Sequence, residues 1–280
     1  MALKVNTPLV SVDWLFQYLD HKSLLILDAT IPKVGSKNIV QAEEKFQIKN
    51  ALFFDLNFFS DAKAPLPNTI LPENEFEAKA AEFGINTGSC IVVYDDLGMY
   101  SSPRVWWMFH LMGFKNIAVL DGGFKEWKAK NYPTEKPTNR KLKLGNFKAN
   151  YQSQKVKFTN DVLENIETEN SVLLDARSEG RFFGTEPEPR KDVKGGHIPK
   201  SISLPHTDIL SGNKMKSTVE LRSIFQTKNT QNKPMIFSCG SGITASVLAL
   251  GAEIAGIKNH SVYDGSWTEW GTTANLPIDI

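Results

Sequence analysis

Short apolar runs alternate with polar, helix-compatible stretches along the first half of the chain. The apolar runs predict buried strands at Leu24–Leu27, Ile91–Tyr94 and Ile117–Leu120. The stretches around them predict helices at Asp13–Leu19, Glu73–Glu82 and Arg104–Met112. Strands that are apolar on both faces are typical of parallel sheets with helices on both sides. The pattern therefore predicts an α/β domain, a mainly parallel sheet flanked by helices.

The second half of the chain repeats the first. The segment 114–127 recurs at 257–270 with the same order of apolar, acidic and aromatic positions. Asp28, Asp95 and Asp121 correspond in order to Asp175, Cys239 and Asp264. Landmarks in one order and at nearly one spacing indicate two tandem copies of one domain. We expect a first domain at 1–135, a polar, lysine-rich linker at 136–157 and a second domain at 158–280.

Composition narrows the classes of function. Hydrophobic residues make up 41% of the chain and the net charge is +1, which is typical of a globular protein without a nucleic-acid partner. The two cysteines, Cys90 and Cys239, form neither a disulfide framework nor a metal-binding cluster. The first 20 residues lack a secretory signal, and no apolar run approaches the ~18 residues of a membrane span. We expect a cytoplasmic protein with no metal, no membrane and no nucleic-acid partner.

Cys239 is the candidate nucleophile. A predicted strand, Met235–Phe237, ends just before it, and Gly240 and Gly242 lead into the helix-compatible run 245–255. Backbone N–H groups and the dipole at a helix start favour a thiolate, and glycines let the backbone wrap around a sulfur-bound group. The alternative is a buried cysteine that only packs, which we expect for Cys90. The first copy has Asp95 at the position of Cys239, so we expect it to be catalytically inactive.

The segment 175–190 is the candidate substrate-binding loop. It follows a predicted strand and carries three arginines, Arg177, Arg181 and Arg190. A guanidinium group binds a carboxylate through two parallel hydrogen bonds, so arginines near a reactive thiol suit an anionic substrate. The alternative is that they pair with Glu186 and Glu188 on the surface. For Arg177 we expect a structural salt bridge.

Other polar residues have simpler interpretations. His197, between Gly196 and Pro199 in sequence, is expected to be a turn or hydrogen-bonding residue rather than a general base. The tryptophans of the repeated motif are expected in the cores: Trp127, Trp267 and Trp270. The hydroxyls of Ser241 and Thr244 are expected to bind the thiolate or the substrate, to cap the following helix, or to do both.

These features together resemble the rhodanese-like sulfurtransferases, over essentially the whole chain. The tandem domains, the inactive first copy and the loop Cys-Gly-Ser-Gly-Ile-Thr-Ala at 239–245 carry the resemblance, and this loop is similar to that of members acting on 3-mercaptopyruvate. The resemblance implies sulfur transfer through a Cys239 persulfide to a thiol, thioredoxin or cyanide, with release of pyruvate and no cofactor. It also implies that Arg181 and Arg190 hold the carboxylate and carbonyl of the substrate. Further loop residues are implied in catalysis or binding: Gly240, Ser241, Gly242, Ile243 and Thr244.

Two other functions of such a loop would require different residues next to Cys239. Thiosulfate sulfurtransferases typically carry Arg and Lys where this chain has Gly240 and Ser241. A cysteine phosphatase of the Cys-x5-Arg type needs an arginine at the position of Ala245. A third alternative is a sulfur-carrying or binding module without turnover. Some relatives also have an Asp and a His that are proposed to form a relay with the loop serine; these positions fall on Asn57 and Thr69.

Overall fold

A computed structural model describes residues 2–32, 45–138, 140 and 142–280. Grouped by contacts, the chain forms two compact units: unit 1 comprises 1–62, 70–152 and 212–214, and unit 2 comprises 63–69, 153–211 and 215–280. The domain ranges expected from sequence position remain a prediction. Phe147, inside the expected linker, is buried in unit 1, where its N–H donates to the carbonyl of Ile85.

Unit 1 is an α/β layer around one parallel sheet. Its elements in chain order are β1 (Leu9–Val10), α1 (Val12–Gln17), β2 (Leu24–Asp28), β3 (Gln47–Ile48), β4 (Ala51–Phe53), α2 (Glu73–Glu82), β5 (Cys90–Tyr94), α3 (Ser102–Leu111), β6 (Ile117–Leu120), α4 (Gly123–Ala129) and β7 (Thr134–Glu135). The five-stranded sheet has the order β1-β6-β5-β2-β4, and its described pairs are parallel. β3 and β7 form a separate antiparallel pair.

The predicted elements of this unit are confirmed to within one or two residues at their ends. α2 has the predicted bounds, whereas α3 begins two residues earlier than expected, at Ser102. Pro103 lies in its first turn, where the missing N–H of proline breaks no intrahelical hydrogen bond. All five residues of β5 are buried, including Cys90, as expected for a strand covered on both faces.

Unit 2 repeats this architecture. Its elements are β8 (Val156–Lys157), α5 (Thr159–Thr168), β9 (Val172–Asp175), α6 (Glu179–Phe182), β10 (Ile202–Ser203), β11 (Leu210–Ser211), β12 (Lys214–Met215, of which Met215 belongs to this unit), α7 (Thr218–Lys228), β13 (Met235–Ser238), α8 (Ile243–Ala255), β14 (His260–Tyr263) and α9 (Ser266–Trp270). Its parallel sheet has the order β8-β14-β13-β9-β10, which matches the order in unit 1 strand for strand. The α/β fold class and the tandem repeat are therefore confirmed.

The repeated tryptophans lie in the two cores, as the sequence predicted. Trp127, Trp267 and Trp270 are fully buried, and each indole N–H donates to a backbone carbonyl. Burying such a ring without a partner for its N–H would cost free energy.

Among the helices of the described residues, none combines the length and the apolar character that a membrane span requires.

Candidate active site

Cys239 lies where β13 gives way to α8, at the carboxyl edge of the sheet of unit 2. Its side chain is 1% exposed. Gly242 directly precedes α8 with a left-handed φ of 78°, a conformation that costs glycine little and other residues more. The thiol therefore lies at the N-terminus of a 13-residue helix, whose unpaired N–H groups and dipole stabilise negative charge. The predicted strand, turn and helix around Cys239 are confirmed.

The start of α9 holds the backbone of this loop from the other side. The N–H of Cys239 donates to Ser266 Oγ at 3.2 Å, and its carbonyl accepts from the N–H of Trp267 at 2.8 Å. The carbonyl of Gly240 accepts from the N–H of Thr268 at 2.8 Å and from its hydroxyl at 2.5 Å. Ser266 Oγ also lies 4.0 Å from Cys239 Sγ. These contacts hold Cys239 in one position.

Arg177 has the structural role that the sequence predicted. Its Nε and Nη2 donate to Asp175 Oδ2 at 2.9 and 2.6 Å, and its Nη1 donates to Glu188 Oε1 at 2.9 Å. The guanidinium group also lies 4.3 Å from the centre of the Trp267 ring. A charge that is fully buried must be paired in this way, so Arg177 anchors the loop that follows β9.

Arg181 lies between Glu188 and the Cys239 loop. Its Nε and Nη2 donate to the two carboxylate oxygens of Glu188 at 3.1 and 2.6 Å. A methyl group added to Gly240 would lie 3.1 Å from Arg181 Nη2, so glycine leaves room for this side chain. Burial opposes the charge, but Glu188 and the nearby Cys239 raise the pKa of Arg181 above its ordinary value. The alternative pairing with Glu188 is thus correct for Arg181, whereas Glu186 accepts from Ser178 instead.

Arg190 differs from Arg177 and Arg181 in having no carboxylate partner in the part of the chain that the structure describes. Its Nη1 lies 3.4 Å from Thr268 Oγ1, and its Nη2 lies 3.4 Å from Ser241 Oγ. Within the described ranges it forms no ion pair. Because Asp175 and Glu188 balance the other two arginines of the segment, Arg190 supplies the unneutralised positive charge next to the loop.

The remaining predicted loop residues directly follow Cys239 in the sequence. Ser241 is 5% exposed, and its hydroxyl accepts a hydrogen bond from Asn68 Nδ2 at 3.1 Å. Ile243 is buried in the first turn of α8, and Thr244 is half-buried. The N-cap residue is Gly242 and no side chain caps this helix. The expected capping role of Ser241 or Thr244 is therefore wrong, because the left-handed turn at Gly242 takes that position.

The corresponding loop of unit 1 holds a carboxylate in place of the thiol. Asp95 follows β5 and is fully buried. Its Oδ1 accepts from the N–H of Gly98, and its Oδ2 accepts from three further N–H groups and a hydroxyl between Tyr100 and Ser102, at 2.6–3.1 Å. The carbonyl of Asp95 accepts from the N–H of Phe124, just as the carbonyl of Cys239 accepts from Trp267. In unit 1 the strand-to-helix turn thus encloses an anion with N–H donors.

Both α/β units of the chain match one known protein family. The profile of the rhodanese-like domain matches the sequence twice, at residues 11–130 and 158–273. The chain belongs to the rhodanese-like family. Both sheets with their flanking helices are therefore rhodanese-like domains, and the resemblance drawn from the sequence is confirmed.

Similar proteins carry sulfurtransferase names. Thiosulfate/3-mercaptopyruvate sulfurtransferase 1, mitochondrial, from Arabidopsis thaliana is 37% identical over 99% of this chain and 79% of its own length. The 3-mercaptopyruvate sulfurtransferase of Homo sapiens is 38% identical over 97% of this chain and 94% of its own length. The crystal structure of SseA from Escherichia coli, a 3-mercaptopyruvate sulfotransferase, superposes with a TM-score of 0.83 at 32% identity, covering 94% of this chain and 99% of that one.

Sequence reasoning missed three residues that contact the loop of the second rhodanese-like domain. Ser266 and Thr268 stand where the first domain has Gly123 and Lys125, so the repeat itself marks them as departures. Ser266 has a left-handed φ of 50°, close to the 56° of Gly123, and a serine held there requires a compensating contact. Asn68 carried no such signal, because it lies 173 residues before Ser241.

The relay positions of some relatives do not supply a histidine here. Thr69 donates its hydroxyl to the carbonyl of Leu66, and Asn57 donates its N–H to Asp55. Among the described residues, Ser241 Oγ is contacted by Asn68 and Arg190 and by no histidine. The ring of His197 stacks on the ring of Phe182, and its Nδ1 donates a hydrogen bond to the carbonyl of Phe182 at 3.0 Å, as a structural residue would.

Proposed function

We propose that this protein is a sulfurtransferase that moves sulfur from 3-mercaptopyruvate through a persulfide on Cys239 to a thiol acceptor and releases pyruvate. The observation that carries the proposal is the placement of Cys239 at the N-terminus of α8 with Arg181 and Arg190 beside its loop. A thiol and two guanidinium groups lie at one edge of one sheet, which supports the roles that we propose for them, a nucleophile for sulfur and a binding site for a carboxylate.

The comparison of the two loops supports our assignment of the activity to the second domain. In the first domain the carboxylate of Asp95 occupies its own ring of N–H donors, and a carboxylate does not attack sulfur. The side chain of cysteine is shorter than that of aspartate, and its thiolate is a softer nucleophile than a carboxylate. Persulfide formation adds one atom to the cysteine side chain. We propose that the outer sulfur of the Cys239 persulfide takes the place that the Asp95 carboxylate takes in the inactive domain.

The first half-reaction is a displacement at sulfur. The Cys239 thiolate attacks the sulfur of 3-mercaptopyruvate, a sulfur–sulfur bond forms, and the carbon–sulfur bond breaks. The electron pair of the broken bond leaves on the substrate as the enolate of pyruvate, which then takes a proton from water. Arg190 and Arg181 hold the carboxylate and carbonyl oxygens and stabilise the charge that develops there.

The second half-reaction returns the enzyme to its starting state. An acceptor thiolate attacks the outer sulfur, and the electron pair of the sulfur–sulfur bond returns to Cys239. Small thiols, reduced thioredoxin, and cyanide in vitro are the acceptors that we propose. Both half-reactions balance without a metal or an organic cofactor.

Thiosulfate is the second candidate donor, because the Arabidopsis relative is named for both thiosulfate and 3-mercaptopyruvate. Gly240 and Ser241 bring no positive side chain to the loop for thiosulfate, which is a dianion. Measuring kcat/KM for both donors with one acceptor decides between them. We expect 3-mercaptopyruvate to be preferred, and a preference for thiosulfate would contradict the choice of donor.

The persulfide is tested by intact mass spectrometry after exposure to 3-mercaptopyruvate without an acceptor. We expect a gain of one sulfur atom in the wild type and in Cys90→Ser, and no gain in Cys239→Ser. Pyruvate release should be lost in Cys239→Ser and kept in Cys90→Ser, since Cys90 is buried in the first domain and burial raises its pKa to about 11. Calorimetric titration without any heat from 3-mercaptopyruvate would instead favour a binding module without turnover.

The cellular location is a separate proposal. We propose a cytoplasmic location, and one relative with the mitochondrial designation in its name makes fractionation of the source cells the appropriate measurement.

A further inference from the structure

The hydroxyl of Ser241 receives two hydrogen bonds from groups that can only donate. Asn68 Nδ2 lies 3.1 Å from Ser241 Oγ, and Arg190 Nη2 lies 3.4 Å from the same atom. A serine hydroxyl has one hydrogen and two lone pairs, so the two donors occupy both of its acceptor positions. Within the described ranges the hydroxyl donates to no protein acceptor. Its own hydrogen is therefore left for a ligand.

The orientation of the Asn68 amide is settled by a second contact. The same Nδ2 atom lies 3.3 Å from the backbone carbonyl of Ser241, which can only accept. The nitrogen, rather than the oxygen, of the amide must therefore face Ser241. Asn68 has a left-handed φ of 61°, which asparagine tolerates better than most residues, and the next hydroxyl, that of Thr69, closes the turn on Leu66.

We propose that Asn68 is a positioning residue that fixes Ser241 as a hydrogen-bond donor to the keto oxygen of the substrate, the atom that becomes the enolate oxygen. The inference rests on the proposed function. Arg190 contacts the same hydroxyl, and the keto oxygen adjoins the carboxylate that Arg190 holds, so the free hydrogen of Ser241 points to an oxygen of the same ligand. A donor at this oxygen gains strength as negative charge builds up there.

An asparagine gives this serine a different role from that of a relay. An amide does not accept a proton, so it cannot draw the hydrogen away from Ser241 as an imidazole can. It also does not titrate, so the direction of the hydrogen bond is the same at every working pH. When the substrate replaces Ser241 Oγ as the partner of Arg190, the hydrogen bond from Asn68 Nδ2 to Ser241 Oγ remains. That hydrogen bond keeps the hydroxyl oriented as a donor to the substrate.

A double-mutant cycle on the full chain tests the proposal, with kcat and KM measured for pyruvate release from 3-mercaptopyruvate. We expect Ser241→Ala to lower kcat by about a hundredfold, which is typical of losing one donor to a developing oxyanion. Asn68→Ala should lower kcat by about tenfold with little change in KM. The double variant should be no slower than Ser241→Ala, because Asn68 acts through the missing hydroxyl. An equal effect of Asn68→Ala in both backgrounds overturns the proposal.

Two further variants sharpen the result. Asn68→Asp keeps the size of the side chain, but a carboxylate only accepts hydrogen bonds. The Ser241 hydroxyl would then donate to Asp at position 68 instead of to the substrate, so we expect a lower kcat than in Asn68→Ala. This isosteric variant also carries the test if Asn68→Ala does not fold, and wild-type kcat in Asn68→Asp refutes the donor orientation. Thr69→Ala is the matched control in the same turn, expected to stay within about twofold of the wild type.

The outcomes distinguish a failure of the proposed function from a failure of the proposed role of Asn68. A wild-type protein that releases no pyruvate from 3-mercaptopyruvate contradicts the proposed function, and the role of Asn68 falls with it. An active wild type with additive effects of the Asn68 and Ser241 substitutions contradicts the role of Asn68 alone.

Discussion

Glu188→Gln is the substitution that most directly tests how the candidate substrate-binding loop, residues 175–190, is held. The Glu188 side chain is 4% exposed and accepts one hydrogen bond from Arg177 and two from Arg181. Glutamine keeps the size of the side chain but replaces one carboxylate oxygen with an amino group. That group would face Arg181 Nη2, which now donates to Oε2 at 2.6 Å, so a donor would meet a donor.

The cost follows from what is lost and what remains. Losing one charge-assisted hydrogen bond costs about 1.5–3 kcal/mol, and breaking a buried ion pair costs about 3–5 kcal/mol. Arg177 keeps its pairing with Asp175, and Arg181, at 21% exposure, can turn toward water. We therefore expect the free energy of unfolding to fall by about 3 kcal/mol, at the lower end of the range for a broken pair. For a domain of this size that corresponds to a loss of about 12 °C in melting temperature.

Differential scanning calorimetry of the full chain measures this loss, with Glu186→Gln as the matched control. Glu186 lies two residues away in the same loop, is exposed, and accepts from Ser178 Oγ at 2.7 Å. The control should melt within about 2 °C of the wild type, since exposed substitutions seldom change stability by more than about 0.5 kcal/mol. If Glu188→Gln melts as close to the wild type as the control does, the buried network does not hold the loop. In the expected case KM for 3-mercaptopyruvate also rises, because Arg181 loses the contact that holds it beside the Cys239 loop.

Three further outcomes are expected. Arg190→Lys keeps the charge but loses the planar fork, so kcat/KM for 3-mercaptopyruvate should fall by about tenfold to a hundredfold in steady-state assays; an unchanged value would exclude two-point binding of the carboxylate. Ser266→Ala removes the acceptor for the N–H of Cys239, so single-turnover persulfide formation should slow by about tenfold, and an unchanged rate would show that the loop holds itself. Burial, opposed by Glu253, lowers the pKa of His260 below its ordinary 6.5, so the folded state keeps this ring neutral while the unfolded chain protonates. The free energy of unfolding from urea titrations should therefore be largest above pH 6.5 and fall as the pH drops, less steeply in His260→Asn; equal slopes would rule His260 out.

Local patterns along the chain were sufficient to predict the longer helices and strands and to single out Cys239 as the candidate nucleophile. Runs of buried apolar residues define β5, β6 and β13. The position of Cys239 between a strand and two glycines was the local signal for the candidate nucleophile. The two-residue strands, such as β3 and β10, had no comparable signal, because two residues are too few to show a period.

What the sequence by itself determined is the repeat, the α/β class, the position of Cys239 and the segment that carries the arginines, because each is encoded in neighbouring residues. What only the tertiary structure decided is which groups each side chain meets. Sequence left open whether Arg181 and Arg190 pair with carboxylates. The fold pairs Arg181 with Glu188, whereas Arg190 meets no carboxylate among the described residues. It also brings Asn68 to Ser241 across 173 residues, a contact that no local pattern encodes, because chain folding rather than spacing sets the distance between the two atoms.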